Sequence, residues 1–387
     1  MPVHDFDRII DRRGGDSVKW NSYPADVLPM WVADSDFTAP EPVIRAMEER
    51  VRHGAFGYSD SRNESLKRAV EHWLSSRFSW QPDKDWIVFS PSVVVSLALS
   101  VRSFTRPGDA VLFLTPSYPP FFSIPRAHGR ESLGSSMPVR NGRYEIDFAD
   151  LEEKMARPAT RMFVLCNPHN PTGRVFSQEE LCRIGELCLK HGLVIVSDEI
   201  HCDYVFPGRR HLPFPSLAPE LAERCLMAIN PSKTFNIADL HASAVICPNK
   251  ELRERFSSAA AAMALHSSAL GILALSTAYM ECAWYVDQLL PYLKRNLDLA
   301  ASHINERIPG IKTRVPEASY LLWLDCREMG LPQAELKRFF LEKAKLALNS
   351  GTDFGVEGEG FMRLNLACPI ATVHEALGRL ERAANGG

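Results

Sequence analysis

The 387-residue chain has no Cys-x-x-Cys pair, and its nine cysteines are odd in number and scattered between Cys166 and Cys368. This excludes a zinc ribbon or a thioredoxin-type redox pair and argues against a disulfide framework, so a reducing cytoplasm is the expected compartment. Neither charge is in excess: 44 Lys plus Arg stand against 47 Asp plus Glu, for a formal net charge of -3. Such a balance supplies no long-range field for nucleic acid or an anionic membrane. The N-terminal end lacks an apolar segment, because Asp5, Asp7, Arg8, Asp11, Arg12 and Arg13 crowd it, and no signal peptide is expected. The uncharged stretch 256–280 is too broken by Ser257, Ser258, His266, Ser267, Ser268, Ser276 and Thr277 to span a membrane. It reads as a buried helical region. Internal repeats, low-complexity tracts and Gly/Ser linkers are also missing, so any domains pack closely.

What is present is an alternation. Between residues 86 and 247 short apolar runs punctuate amphipathic stretches: Trp86 to Ser90, Ala110 to Leu114, Met162 to Cys166, Leu193 to Ser197, Cys225 to Ile229 and Ala244 to Cys247. Runs of this length, apolar on both faces, are strands covered by helices on both sides. One intervening helix is delimited by a capping box, Ser177 with Glu180, and by Gly192 after its last turn. The pattern predicts an α/β domain with a mostly parallel sheet. After about residue 286 a long helix (287–307), short strands near 319–324 and 361–366, and helices near 333–346 and 373–384 predict a second, smaller α+β domain.

In open α/β sheets ligands bind beyond the carboxyl ends of the strands, so the residues that follow each run carry the chemistry. The first run leads through Ser92 into Val93 and Val94 at a helix start, where free N–H groups suit a phosphate. Tyr118 follows the second, Asn170 the third, Asp198 ends the fourth, and Ser232-Lys233 follows the fifth. An amine, a carboxylate, an aromatic ring, an amide and an anion site on one sheet edge are what pyridoxal 5'-phosphate (PLP) requires. The lysine carries the cofactor, the carboxylate keeps the pyridine nitrogen protonated, and the aromatic ring stacks on it.

Several segments then resemble one family. Pro29-Met-Trp-Val-Ala-Asp34, Phe56-Gly-Tyr-Ser59, Cys166-Asn-Pro-His-Asn-Pro-Thr-Gly-Arg174, Asp198-Glu-Ile-His-Cys-Asp203, Ser232-Lys-Thr-Phe-Asn-Ile-Ala238 and Phe361-Met-Arg-Leu-Asn-Leu-Ala-Cys-Pro369 are similar to the MalY/PatB branch of fold-type I PLP enzymes. The branch belongs to the aspartate aminotransferase superfamily and contains cystathionine β-lyases and other C–S β-lyases. The resemblance implies a large domain over 51–286 with a seven-stranded, mostly parallel sheet, and a small C-terminal domain over 287–387. An N-terminal segment, 1–50, would return to pack with the small domain. It implies Lys233 as the cofactor lysine, Asp198 as partner of the pyridine nitrogen, Asn170 on the ring oxygen and Tyr118 stacked on the ring. Val93, Val94, Ser232 and Tyr58 would hold the phosphate, with Tyr58 supplied by the other subunit of a homodimer with shared active sites. Arg363 would grip the carboxylate of a small amino-acid substrate, His201 would support Asp198, and His241 would lie where relatives place a phosphate-binding arginine. No metal site is expected from His169 and His201.

The chain departs from the family pattern at Ser35, Ser92 and Asp239, in place of Met, Gly and Gly. Ser92 could add a hydroxyl to the phosphate site, whereas Asp239 would be unfavourable there unless it faces away. The expected reaction is an α,β-elimination from cystathionine or a cysteine S-conjugate to thiol, pyruvate and ammonia, with Lys233 as general base. Two rivals stand beside it: an aminotransferase, which shares every step up to loss of the α-proton, and a PLP-binding regulatory protein with little turnover.

Overall fold

The computed structural model describes residues 2–60, 64–140 and 142–386. Seven strands form the main sheet: β1 (Ile87–Ser90), β2 (Ala110–Thr115), β3 (Glu131–Ser136), β4 (Thr160–Cys166), β5 (Val194–Asp198), β6 (Cys225–Ile229) and β7 (Ser243–Ile246). Their spatial order is β1-β7-β6-β5-β4-β2-β3, and only β7 runs antiparallel to its neighbours. Every residue of β2 and β6 is buried, which is why these strands are apolar on both faces.

The longer helices are α1 (Glu41–His53), α2 (Glu64–Phe78), α3 (Val93–Phe104), α4 (Pro119–Ala127), α5 (Gln178–Lys190), α6 (Lys250–Ala262) and α7 (Ala269–Glu281), and then α8 (Ala283–Arg307) and α9 (Ile370–Ala384), which pack against each other and the C-terminal strands. Helix α5 starts with the expected capping box, Ser177 Oγ accepting from Glu180 N–H, and is followed by Gly192 at φ +66°. The uncharged stretch is two helices, α6 and α7, broken around Ala264, which is left-handed at φ +52°. Among the described residues no single helix is long and apolar enough to cross a membrane.

A second sheet of four antiparallel strands contains β8 (Lys312–Thr313), β9 (Leu321–Asp325), β10 (Asn349–Ser350) and β11 (Phe361–Asn365), in the order β8-β9-β11-β10. The helix expected over 333–346 is shorter: Gln333–Arg338 is α-helical, a π-helical turn occupies Phe339–Lys343, and Leu346–Ala347 pairs in parallel with Leu28–Pro29. That pairing, a separate two-stranded sheet, ties the N-terminal segment to the C-terminal part of the chain. Asn365 reinforces it, donating to the carbonyls of Val32 (2.6 Å) and Asp34 (2.7 Å).

Candidate active site

β5 is the fourth of seven strands, so its carboxyl end lies at the centre of the sheet edge. Asp198 is its last residue, in register with Cys166 of β4 and Ala228 of β6. A cleft opens beyond it. Ser92, Val93, Val94, Tyr118, Asn170, His201, Ser232 and Lys233 line this cleft together with Asp198, Ala33 and Cys166. Nine residues singled out from the sequence, scattered from 92 to 233, therefore share one enclosure.

Three groups in or beside the cleft lack the partners that burial demands. The Lys233 amine has no hydrogen-bond or ion-pair partner among the described residues, and burial lowers its pKa, helped by Arg363 and opposed by Asp34 and Asp198. Asp198 Oδ1 accepts the Ile200 N–H at 3.2 Å and forms no ion pair among the described residues, so burial, aided by Glu199, pushes its carboxyl up to about 7 against the effects of Ile200 and the more distant Lys233. Arg363, on β11, is buried and bonds only neutral oxygens: Asn170 Oδ1 (3.0 Å), Trp31 O (3.0 Å) and Asn349 Oδ1 (2.7 Å). Its Nε has no partner, the Phe354 ring lies 4.7 Å from the guanidinium, and burial pulls its pKa down to about 10. A buried charge without a counter-charge is costly unless a ligand supplies one.

The rest of the cleft is set by local folding. Ser92 caps α3, its Oγ accepting from Val95 N–H at 3.2 Å, which leaves the N–H groups of Val93 and Val94 at the open end of the helix. The Ser92 hydroxyl is thus engaged in capping. Tyr118 is the N-cap of α4, and burial raises its pKa, as does Asp198. His201 is buried with Nδ1 unpartnered, and burial, then Lys233, lowers its pKa to about 3, so it is a neutral ring rather than an acid. Ser232 N–H bonds Asn230 Oδ1 at 2.8 Å, and Thr234 donates to Asp203 Oδ2 at 2.7 Å, which fixes the turn on both sides of Lys233. Asp203 also accepts from Trp73 Nε1 at 3.0 Å. Gly173 at φ +66° ends the Asn170 turn, and a Cβ there would lie 2.2 Å from Pro316 Cβ.

Two expected site residues are not brought to the cleft by this chain alone. Tyr58 is fully exposed at 101%, and His241, left-handed at φ +54°, pairs with the exposed Asp239 at 3.7 Å. Asp239 faces solvent, which removes the repulsion expected at that departure. Several supporting residues had no reading from the sequence. Trp31 and Asn349 hold Arg363, while Arg12 (2.8 Å to Asp34, 2.9 Å to Asp36) and buried Lys19 (2.8 Å to Asp36) pin the segment next to Ala33. Glu199 accepts from Ser197 Oγ (2.7 Å) and Phe214 N–H (2.9 Å) and pairs with His211 at 2.6 Å, all of it buried. His211→Ala removes one of the three partners of that buried carboxylate and is expected to cost about 1–3 kcal/mol of stability in urea unfolding. A loss below about 1 kcal/mol would show that the pair does not support the loop beneath the cleft.

Comparison with known proteins agrees with this geometry. Residues 26–380 match the model of the family described as aminotransferase class I and II. The chain is 42% identical to cystathionine beta-lyase PatB of Bacillus subtilis over 98% of its length and 99% of that protein. It is 32% identical to protein MalY of Escherichia coli, with 98% and 99% covered. Cystalysin of Treponema denticola, whose crystal structure contains pyridoxal 5'-phosphate, superposes with a TM-score of 0.96 at 33% identity over the whole of both chains. The sheet order, the strand-tip lysine and aspartate, and likeness along nearly the full length lead to one conclusion: the chain belongs to the aminotransferase class I and II family, in its MalY/PatB branch.

Proposed function

We propose that this chain is a PLP-dependent C–S β-lyase that cleaves cystathionine or a related cysteine S-conjugate to thiol, pyruvate and ammonia. The observation that carries the reading is the set of unmet charges at one sheet edge: a free amine, a carboxylate without a cation and a guanidinium without an anion. They are complementary to an aldehyde, a pyridinium N–H and an amino-acid carboxylate. The N–H groups of Val93 and Val94 and the Ser232 hydroxyl fit the phosphate, Asn170 the ring oxygen, and Tyr118 the ring face. The names of PatB and of the cystalysin structure support the same assignment.

PLP, when bound, supplies an electron sink for the pair left when the substrate Cα loses its proton. Arg363 holds the α-carboxylate bidentately and so fixes which Cα bond faces Lys233. Nζ of Lys233, whose charged form burial disfavours, takes the α-proton and returns it to the departing sulfur. Asp198 would hold the ring nitrogen of the bound cofactor in its protonated form, and that positive charge would keep the carboxylate ionised. His201, a neutral ring set against Tyr204 and Tyr320, shapes the wall of the cleft rather than transferring a proton. A panel of S-methylcysteine, cystathionine and cystine tests the reading: pyruvate should form from at least one, and formation from none overturns it.

The same reading divides the chain into a large domain (51–286), a small domain (287–387) and an N-terminal segment (1–50) that joins the small domain. It also makes the enzyme a cytoplasmic homodimer with shared active sites. Tyr58, exposed at 101% beside Phe56 at 55%, suits a residue that completes the partner's phosphate site. Eight of the nine free cysteines are buried, which suits a reducing compartment. Mixing inactive Tyr58→Ala and Lys233→Ala proteins should restore about a quarter of wild-type activity, because half of the exchanged dimers carry one intact site. No recovery despite demonstrated subunit exchange would remove Tyr58 from the partner's site.

A further inference from the structure

We propose that a second groove, between the 172–174 turn and the edge of the smaller sheet, binds a small dianion, a phosphate ester or a dicarboxylate. The groove encloses about 490 Å³ and shares no lining residue with the cleft that holds Lys233. Five cationic side chains line it, Arg143, Arg174, Lys312, Arg314 and Arg327, against two carboxylates, Glu317 and Asp325. Both carboxylates are already committed: Glu317 pairs with Arg143 and Arg209 at 3.0 Å each, and Asp325 with Arg327 at 2.6 Å.

Lys312 and Arg314 have no acidic partner among the described residues. They flank Thr313, which is buried, while both of them are exposed. The alternation of an extended chain therefore puts both cations on one side. Arg174 forms the opposite limit: its side chain is 3% exposed, Nη2 bonds Glu180 at 2.8 Å, and Nε and Nη1 have no partner. Two exposed, unpaired cations on one wall, with a further buried guanidinium in the opposite wall, give the groove an excess of positive charge that a small oxyanion satisfies. Trp323 and Phe361 line the same groove as a stacked pair, centroids 5.2 Å apart and planes at 9°, and the Arg327 guanidinium lies 4.9 Å from the Phe361 ring, so the aromatic wall is rigid and carries a cation. A polyanion is disfavoured, because Glu317 and Asp325 stand in the same walls and the cationic groups are confined to one concavity. The inference does not depend on the lyase assignment.

The test is calorimetric titration of the holoenzyme, whose cofactor phosphate site is filled, with inorganic phosphate and separately with succinate. Saturable binding with a Kd of about 1 mM or tighter is expected in at least one arm. In the double variant Lys312→Ala/Arg314→Ala, which keeps the visible absorbance of the bound cofactor, that binding should weaken at least ~10-fold. Arg314→Lys should retain most of it, and single Arg314→Gln serves if the double variant does not fold. The phosphate arm reports on phosphate esters and the succinate arm on dicarboxylates. The proposal is overturned by the absence of saturable binding in both arms, or by binding that the double variant leaves unchanged, which would place the anion at Arg363 or elsewhere.

Discussion

Lys233→Ala should lower pyruvate formation by about 10³-fold or more, the scale set by losing a positioned general base. It should also turn the protein from one that holds its cofactor through gel filtration into one that releases it. Both effects come from one atom. Nζ of Lys233 is the unpartnered amine at the strand tip, with a lowered pKa because burial opposes its charge. Its neighbours are fixed independently, Thr234 by Asp203 and Ser232 by Asn230, so the substitution should leave the turn standing. Unchanged circular dichroism with lost visible absorbance would separate chemistry from misfolding. Turnover near the wild-type rate would place the reacting amine elsewhere.

Asp198→Asn should reduce turnover by a similar order, about 10²–10⁴-fold, while the cofactor stays covalently held through Lys233. The amide keeps the shape and the bond from Ile200 N–H but cannot supply the negative charge that keeps the ring nitrogen protonated. A second readout has a definite sign. In the protein alone, burial raises Asp198 to about 7, above the usual carboxylate value, so the folded state holds this proton more tightly than the unfolded chain. Its contribution is therefore full at acidic pH and is lost as pH rises through about 7. Relative to the cofactor-free wild type, cofactor-free Asp198→Asn should gain stability between about pH 4 and pH 7. A constant difference between the two proteins over that window would contradict the buried, unpaired placement of the carboxylate.

How far the sequence shows this arrangement depends on which force places each residue. Six strands of the main sheet are legible because they are apolar and largely buried, and the boundaries fall within two residues of the expected ones. Strand β3, Glu131-Ser-Leu-Gly-Ser-Ser136, has no such signature: it is an edge strand, mostly polar and part exposed, held by its backbone pairing with β2. Likewise the helix expected over 333–346 yields to tertiary pairing, since Leu346–Ala347 is recruited by Leu28–Pro29, more than three hundred residues earlier in the chain. Asp198 is legible because it ends a strand, and Lys233, Asn170 and Tyr118 because each lies in the short turn that follows one. Arg363 is different. Its place comes from three segments meeting at Trp31, Asn170 and Asn349, contacts that no local pattern encodes, and only the family resemblance pointed to it. The charges at Arg12, Lys19, Asp34 and Asp36 follow no local pattern that pairs them, yet they form a largely buried ion network next to Ala33 of the cleft.

A lyase and an aminotransferase built on this site part only after the α-proton is lost, the one expelling a sulfur leaving group and the other exchanging an amino group. The most direct measurement is incubation of the pure holoenzyme with L-cystathionine in the absence of any 2-oxo acid, following free thiol, pyruvate and ammonia together. Equal amounts of all three, continuing over many turnovers, are the predicted result. Turnover that starts only after a 2-oxo acid is added, with no thiol released, would contradict it.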